Sequence, residues 1–192
     1  AEMKNFVTAD TPFASALIGG DEIFVSEVDE SDGSIARYRP KVAVVNNISL
    51  DHKSMEELRA LFSAFVAKAE TAVLNLDNDE TRVLALGVPE GQAITYSLTL
   101  DYADLHARAI TPAPDGVRFE VVSRDGQIVA VALPLPGRHN VSNALAALGA
   151  ATACGVPLAE AAVALSAFKG IRRRLEVVGA RPAVIAGKKV PG

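Results

Sequence analysis

Short apolar runs that end in Asn, Asp or Glu set the pattern of the first half of the chain. Val42-Ala-Val-Val45 ends in Asn46-Asn47, and Thr71-Ala-Val-Leu-Asn75 leads into Asp77-Asn-Asp79. Runs of this kind do not alternate, and strands buried on both faces of a parallel sheet read that way. Glu22-Ile-Phe-Val-Ser26 has the same form and leads into an acidic cluster, so it predicts a further buried strand with a polar carboxyl end. Between the second and third runs, Leu58, Leu61, Phe62, Phe65 and Val66 recur at a spacing near one helical turn. Ser54 and Glu57 ahead of them form a capping box. That spacing predicts an amphipathic helix over 55–69, and a short helix over about 79–86 closed by Gly87. The strand–helix–strand order predicts an α/β fold with a mostly parallel sheet flanked by helices. Ligands of such sheets gather at the carboxyl ends of the strands.

The pattern changes after residue 100. Residues 104–112, 117–123 and 127–134 are β-rich and separated by Asp115-Gly116 and Asp125-Gly126, which are hairpin signals. They predict a small antiparallel β subdomain at about 104–134. Asn140 to Cys154 is an alanine-rich helical run, a second helix is expected from Pro157 to about Phe168, and Leu175-Glu-Val-Val178 predicts a last strand. Residues 1–21 show no period and read as a lead-in, while 179–192 read as a tail.

Composition narrows the class. The 192 residues are 49% hydrophobic and 22% charged, which fits a compact folded chain. A formal charge of -4 leaves no basic footprint, so no nucleic-acid partner is expected. Polar residues interrupt every alanine-rich stretch before about 18 apolar positions accumulate, so no membrane partner is expected either. The single Cys154 excludes a disulfide framework and agrees with a cytoplasmic setting. The first residues lack a basic region followed by an apolar core, so they do not read as a signal peptide.

Four places carry candidate chemistry. Glu27, with Asp29, Glu30 and Asp32 behind it, offers carboxylate oxygens of the kind Mg²⁺ prefers, or else forms a solvated acidic turn that caps Ser34. His52, beside Asp51 and ahead of a helix cap, suits a metal ligand, a base or a cap neighbour. In Gly137-Arg-His-Asn140, the His139 imidazole can pack on a base, while Asn140 or Asn143 can hydrogen-bond to its edge. The plainer alternative, with the lesser weight, is that Asn140 caps the helix. Arg172, Arg173 and Arg174 offer guanidinium groups to a phosphate, or simply line solvent. A triphosphate loop, with glycines followed by Lys and Ser or Thr, is not found; the one Gly-Lys pair, Gly187-Lys188, is followed by Lys189.

In their order, residues 27–34, 44–52, 137–144 and 168–176 resemble the central, ATP-binding domain of the Mur ligases, over about residues 20–178. The acidic motif favours the branch that joins L-alanine to UDP-N-acetylmuramate in peptidoglycan synthesis. The resemblance implies ATP and Mg²⁺ as cofactors and an acyl-phosphate route to the amide. It implies Glu27 and His52 as Mg²⁺ ligands, and Asn47, His139, Asn140, Asn143, Arg173 and Arg174 as nucleotide contacts. Glu27, His52 and Arg174 would then serve catalysis. The family's Gly-rich Lys-Thr loop, its UDP-binding domain and the usual link to its C-terminal domain have no match here. The expectation is therefore a partial central domain over 22–178, inactive alone, with self-association through an exposed sheet edge. The alternative is a non-catalytic nucleotide-binding or assembly module that keeps the fold.

Overall fold

The computed structural model describes residues 22–51 and 53–171, together with Val7 and the strand residues 183–185 and 188–190. Asp21–Phe168 form one compact unit. Its elements follow the apolar runs closely. Strand β1 (Val42–Val45) leads to helix α1 (Met55–Val66), then strand β2 (Thr71–Asn75), helix α2 (Asp79–Leu86) and strand β3 (Ala93–Ser97). Strands β4 (Leu105–Ala113), β5 (Gly116–Ser123) and β6 (Ile128–Leu133) come next, followed by helices α3 (Arg138–Ala153) and α4 (Leu158–Ser166).

Local chemistry starts both helices of the first half. At α1 the predicted capping box forms: the Ser54 hydroxyl accepts from Glu57 N at 3.2 Å, and the Glu57 carboxylate accepts from Ser54 N at 2.9 Å. At α2, Asn78 Oδ1 accepts from Thr81 N at 3.0 Å and from the Thr81 hydroxyl at 2.7 Å, and Gly87 closes the helix. Each satisfies N–H groups that a helix start leaves without a partner.

All six strands form one sheet in sequence order. β1, β2, β3 and the start of β4 run parallel, with Val42 opposite Thr71, Ala72 opposite Ala93 and Tyr96 opposite Leu105. β4, β5 and β6 are antiparallel, and the β4–β5 ladder slips between Arg108 and Thr111. The expected antiparallel block is therefore present, and it continues the parallel sheet through β3.

The two faces of the sheet are covered unequally. On one face α3 and α4 enclose Val73, Tyr96, Leu105, Phe119, Val121 and Val131 in a core that spans most of the sheet. On the other, Ile35 in a short 3-10 turn (Ser34–Arg37) joins Leu58, Phe65 and Val66 of α1 over Ala43, Val45, Ala72 and Leu74. Gly149 lets α3 approach β2: a Cβ there would stand 2.8 Å from Val73 Cγ1.

One predicted element does not form. Ile23, Phe24 and Val25 are 56%, 91% and 87% exposed, with no strand assigned at 22–26. An apolar run becomes a buried strand only where a neighbour pairs with it and covers it, and among the described residues none does. β1 is the outermost strand on that side. Conversely, β3 has no counterpart among the apolar runs of the sequence pattern.

In the second unit, the described secondary structure is an antiparallel pair, β7 (Ala183–Ile185) and β8 (Lys188–Val190), with Ala183 opposite Val190. The lead-in apart from Val7, the expected strand at Leu175–Val178 and residues His52, Arg172, Arg173 and Arg174 lie outside the described residues. Among the described residues, no helix is long and apolar enough to cross a membrane.

Candidate functional site

The carboxyl ends of β1, β2 and β3 are tied together by polar side chains. Asn75 Nδ2 donates to the Asn46 carbonyl at 2.9 Å, and the Tyr96 hydroxyl donates to Asn46 Oδ1 at 2.9 Å. Two residues on, Ile48 N donates to Asn78 Oδ1 at 3.2 Å. Asn47 lies exposed between these two anchored neighbours. At the end of β2, the Asp77 carboxylate accepts from the Ser97 hydroxyl, from Leu98 N at 2.6 Å and from the Thr99 hydroxyl at 2.6 Å. Asp77 therefore holds the chain as it leaves β3.

Tyr96 is fully buried and shares a core with Val141 and Leu145 of α3. Burial pushes its phenol far above the usual tyrosine range, and nearby Asp77 adds to the rise. Ser142, the fifth residue of α3, stands close enough to oppose it. The phenol stays neutral and donates its proton to Asn46. The start of α3 thus meets the polar edge of the sheet at Tyr96.

That helix starts at Gly137, whose φ is +98°. A Cβ at this position would fall 2.7 Å from His139 Cε1, because the imidazole folds back over the glycine. Backbone conformation and ring position both call for glycine here. Gly137 occupies the N-cap, with no side-chain cap bond. Asn140 is consequently not the cap; it sits in the first turn and its Nδ2 donates to the Pro136 carbonyl at 2.8 Å. Arg138, His139 and Asn143 are exposed.

Glu27 is exposed. Behind it, Asp29 accepts from Ser31 N at 2.8 Å and Asp32 from Ser34 N at 2.7 Å. The Ser34 N–H, then its hydroxyl, holds the Asp32 carboxyl below the usual range. These two carboxylates serve the turn, as the solvated reading expects. Lys53 Nζ donates to the Ser31 carbonyl at 2.9 Å and so brings the acidic turn against the start of α1. The neighbours of Glu27 and of His52 therefore meet, while His52 itself lies outside the described residues. Among the described residues, no group of three or more His, Cys, Asp or Glu is placed to hold a metal ion.

Within this set, every buried side-chain polar atom has a partner. Exposed side chains at these places include Asn47, Arg138, His139 and Asn143. An imidazole can pack on a base and an amide can hydrogen-bond to its edge. Among the described residues, nothing at this edge cradles a triphosphate.

Sequence reasoning missed Tyr96 and the clamp at Asp77. The signal was available, because Ala93-Ile-Thr-Tyr-Ser97 is rich in β-branched and aromatic residues and follows the turn residues Pro89 and Gly91.

Known proteins share this fold. The family model described as the Mur ligase middle domain matches residues 5–151. A UDP-N-acetylmuramate–L-alanine ligase of Streptomyces coelicolor is 40% identical over 179 residues, which cover 88% of this chain and 38% of that protein. The enzyme of the same name from Acidithiobacillus ferrooxidans is 40% identical over 175 residues, covering 85% of this chain and 38% of its own length. The chain thus spans little more than a third of these relatives. Among solved structures, a UDP-N-acetylmuramoyl-L-alanyl-D-glutamate–2,6-diaminopimelate ligase superposes with a TM-score of 0.66 at 29% identity, covering 74% of this chain and 31% of its own. A UDP-N-acetylmuramate–alanine ligase from Thermotoga maritima gives a TM-score of 0.69 at 22% identity, over 80% of this chain and 35% of its own, and supports the fold alone.

Proposed function

The chain belongs to the Mur ligase family, and we propose that it forms the adenine-nucleotide side of a cytoplasmic, ATP-dependent ligase that joins L-alanine to UDP-N-acetylmuramate. One observation supports the reading: the Tyr96 hydroxyl, which lies against Ser142 of the 137–144 segment, binds Asn46, the residue before Asn47, at the polar end of the sheet. That is where an α/β sheet accepts its ligand.

In the proposed reaction, a carboxylate oxygen of UDP-N-acetylmuramate attacks the γ-phosphorus of ATP, and ADP leaves. The alanine amine then adds to the acyl-phosphate carbon. The tetrahedral adduct expels phosphate, and the amine's extra proton goes to solvent. Within this scheme, His139 stacks on adenine, Asn143 lines its edge beside Asn140, whose Nδ2 is held by the Pro136 carbonyl, and Asn47 contacts the nucleotide. Glu27 and His52 would hold Mg²⁺, which would offset charge on the transferred phosphoryl oxygens. Arg174 or Arg173 would reach the nucleotide, with Arg174 serving catalysis.

Calorimetric titration of the chain with ADP in millimolar Mg²⁺ tests the nucleotide assignment. Binding lost in His139→Ala supports it; no heat with the unaltered chain sinks it and favours a non-catalytic assembly module. In an assay with UDP-N-acetylmuramate, L-alanine, ATP and Mg²⁺, the 192 residues alone are expected to give no amide. Their sequence contains no Gly-rich loop ending in Lys and Ser or Thr.

A further inference from the structure

We propose that Tyr96 is a positioning residue, whose buried hydroxyl sets the segment after β1 in register with the first turn of α3. The inference rests on the nucleotide reading above and adds to it the device that keeps the two halves of that site together. Asn47 and the His139–Asn143 turn are far apart in sequence and share no backbone ladder. Tyr96 stands between them. Its ring is fully buried among Val141, Leu145 and Val73. Its hydroxyl reaches Asn46 Oδ1 at 2.9 Å, one residue before Asn47.

The geometry on either side explains why a phenol is needed. The Asn46 carbonyl is held from β2, through the Asn75 amide at 2.9 Å, and that bond leaves the Asn46 side chain to Tyr96. The ladder register places Tyr96 opposite Asn75, so the side chain crosses β2 to reach β1. Phenylalanine would fill the same space in the core and leave the Asn46 amide free to rotate. Asp77, by clamping Ser97, Leu98 and Thr99, fixes the strand end that carries the ring. The result is a three-strand brace with α3 packed against β2 and β3.

The test is Tyr96→Phe in the full chain, with Asn46→Ala and Asn46→Asp as companions. Two readouts are taken: ADP affinity in Mg²⁺, and amide hydrogen exchange residue by residue without nucleotide. Losing one such hydrogen bond is expected to weaken ADP binding by about five- to tenfold. Exchange should quicken at 46–48 and 139–143 and remain unchanged in β5 and β6. Asn46→Ala should reproduce this, the double variant should add nothing further, and Asn46→Asp, which keeps the acceptor, should restore both readouts. Unchanged exchange at 46–48 and 139–143 overturns the proposal, as does a uniform loss of protection through the sheet, which marks a merely structural residue. If the unaltered chain binds no ADP, the nucleotide reading fails by itself, and the exchange pattern still decides whether Tyr96 acts as a brace.

Discussion

The two halves of the sheet solve the problem of burial differently. β2 in the parallel half is covered on both faces, with Ala72, Val73 and Leu74 all buried in succession. β6 in the antiparallel half alternates, with Val131 and Leu133 buried under α4 while Ile128, Ala130 and Ala132 face solvent. Polar chemistry follows the same division. The parallel half carries its hydrogen-bonding side chains at strand ends, where Asp77, Asn46 and Tyr96 lock three strands together. The antiparallel half displays exposed pairs such as Arg108–Glu120 at 2.7 Å. A covered sheet can hold a polar group in one place at its edge, whereas an open face leaves its charges to water. The candidate site lies on the first kind.

The largest effects should separate the halves by burial. Leu74→Ala removes a side chain with no exposure from between two packed layers and is expected to cost about 3 kcal/mol. Ile128→Ala trims a side chain already 52% exposed and should cost roughly 1 kcal/mol or less. Urea unfolding of both variants measures the difference, and equal losses would erase the distinction. Next in size is the polar contrast. Asp77→Ala strips three donors at the end of β3 of their acceptor and should cost roughly 1–3 kcal/mol. Glu120→Ala breaks one exposed pair and should cost about 0.2–1 kcal/mol.

The same division explains what could be read in the chain. α1 was legible because its capping box and its apolar spacing say the same thing, and β1 and β2 because continuous apolar runs ended in Asn. The hairpins were legible from Asp115-Gly116 and Asp125-Gly126. Residues 22–26 carry an equally apolar run yet remain exposed, because a strand's burial depends on a neighbour that its own residues do not specify. β3 escaped although its β-branched and aromatic residues signal a strand: Thr95, Tyr96 and Ser97 break the apolar run, and their hydroxyls find partners only in the folded chain. Among site residues, Asn47 and the 137–144 turn could be named from local pattern. Tyr96 could not, since its partner Asn46 lies fifty residues away.

Acid offers a finer comparison. Glu57 is held below its usual range by the Ser54 N–H and then its hydroxyl, and Glu80 by the Arg59 guanidinium, whose Nε lies 2.6 Å away. In the antiparallel half the Ser123 hydroxyl, then Gln127 N–H, does the same for Asp125. A depressed carboxyl contributes stability above its unfolded pKa and loses it as pH falls through the folded value. Stability should therefore hold near neutrality and decline below about pH 4.5, the ordinary glutamate range. Glu57→Gln should flatten part of that decline while leaving the Asp125 part intact, measured as melting temperature from pH 7 to pH 3. A decline that the Glu57→Gln change leaves unaltered would place acid sensitivity outside the α1 cap.

The smallest expected effect lies at the β4–β5 bulge. Ala109 sits there with a φ of +51°, an unfavourable region for a residue with a Cβ. Left-handed backbone costs such a residue roughly 1–2 kcal/mol, whereas glycine adopts it freely. Glycine also gives the unfolded chain more freedom, which takes back about 0.4–1 kcal/mol. Ala109→Gly should thus stabilise the chain by about 0.5 kcal/mol, seen as a small rise in the urea midpoint with the slope unchanged. The gain should be confined to this hairpin, because Ala109 is exposed and belongs to neither core cluster. A loss of about 1 kcal/mol would show instead that Ala109 carries no strain, and that the open half of the sheet is as closely fitted as the covered one.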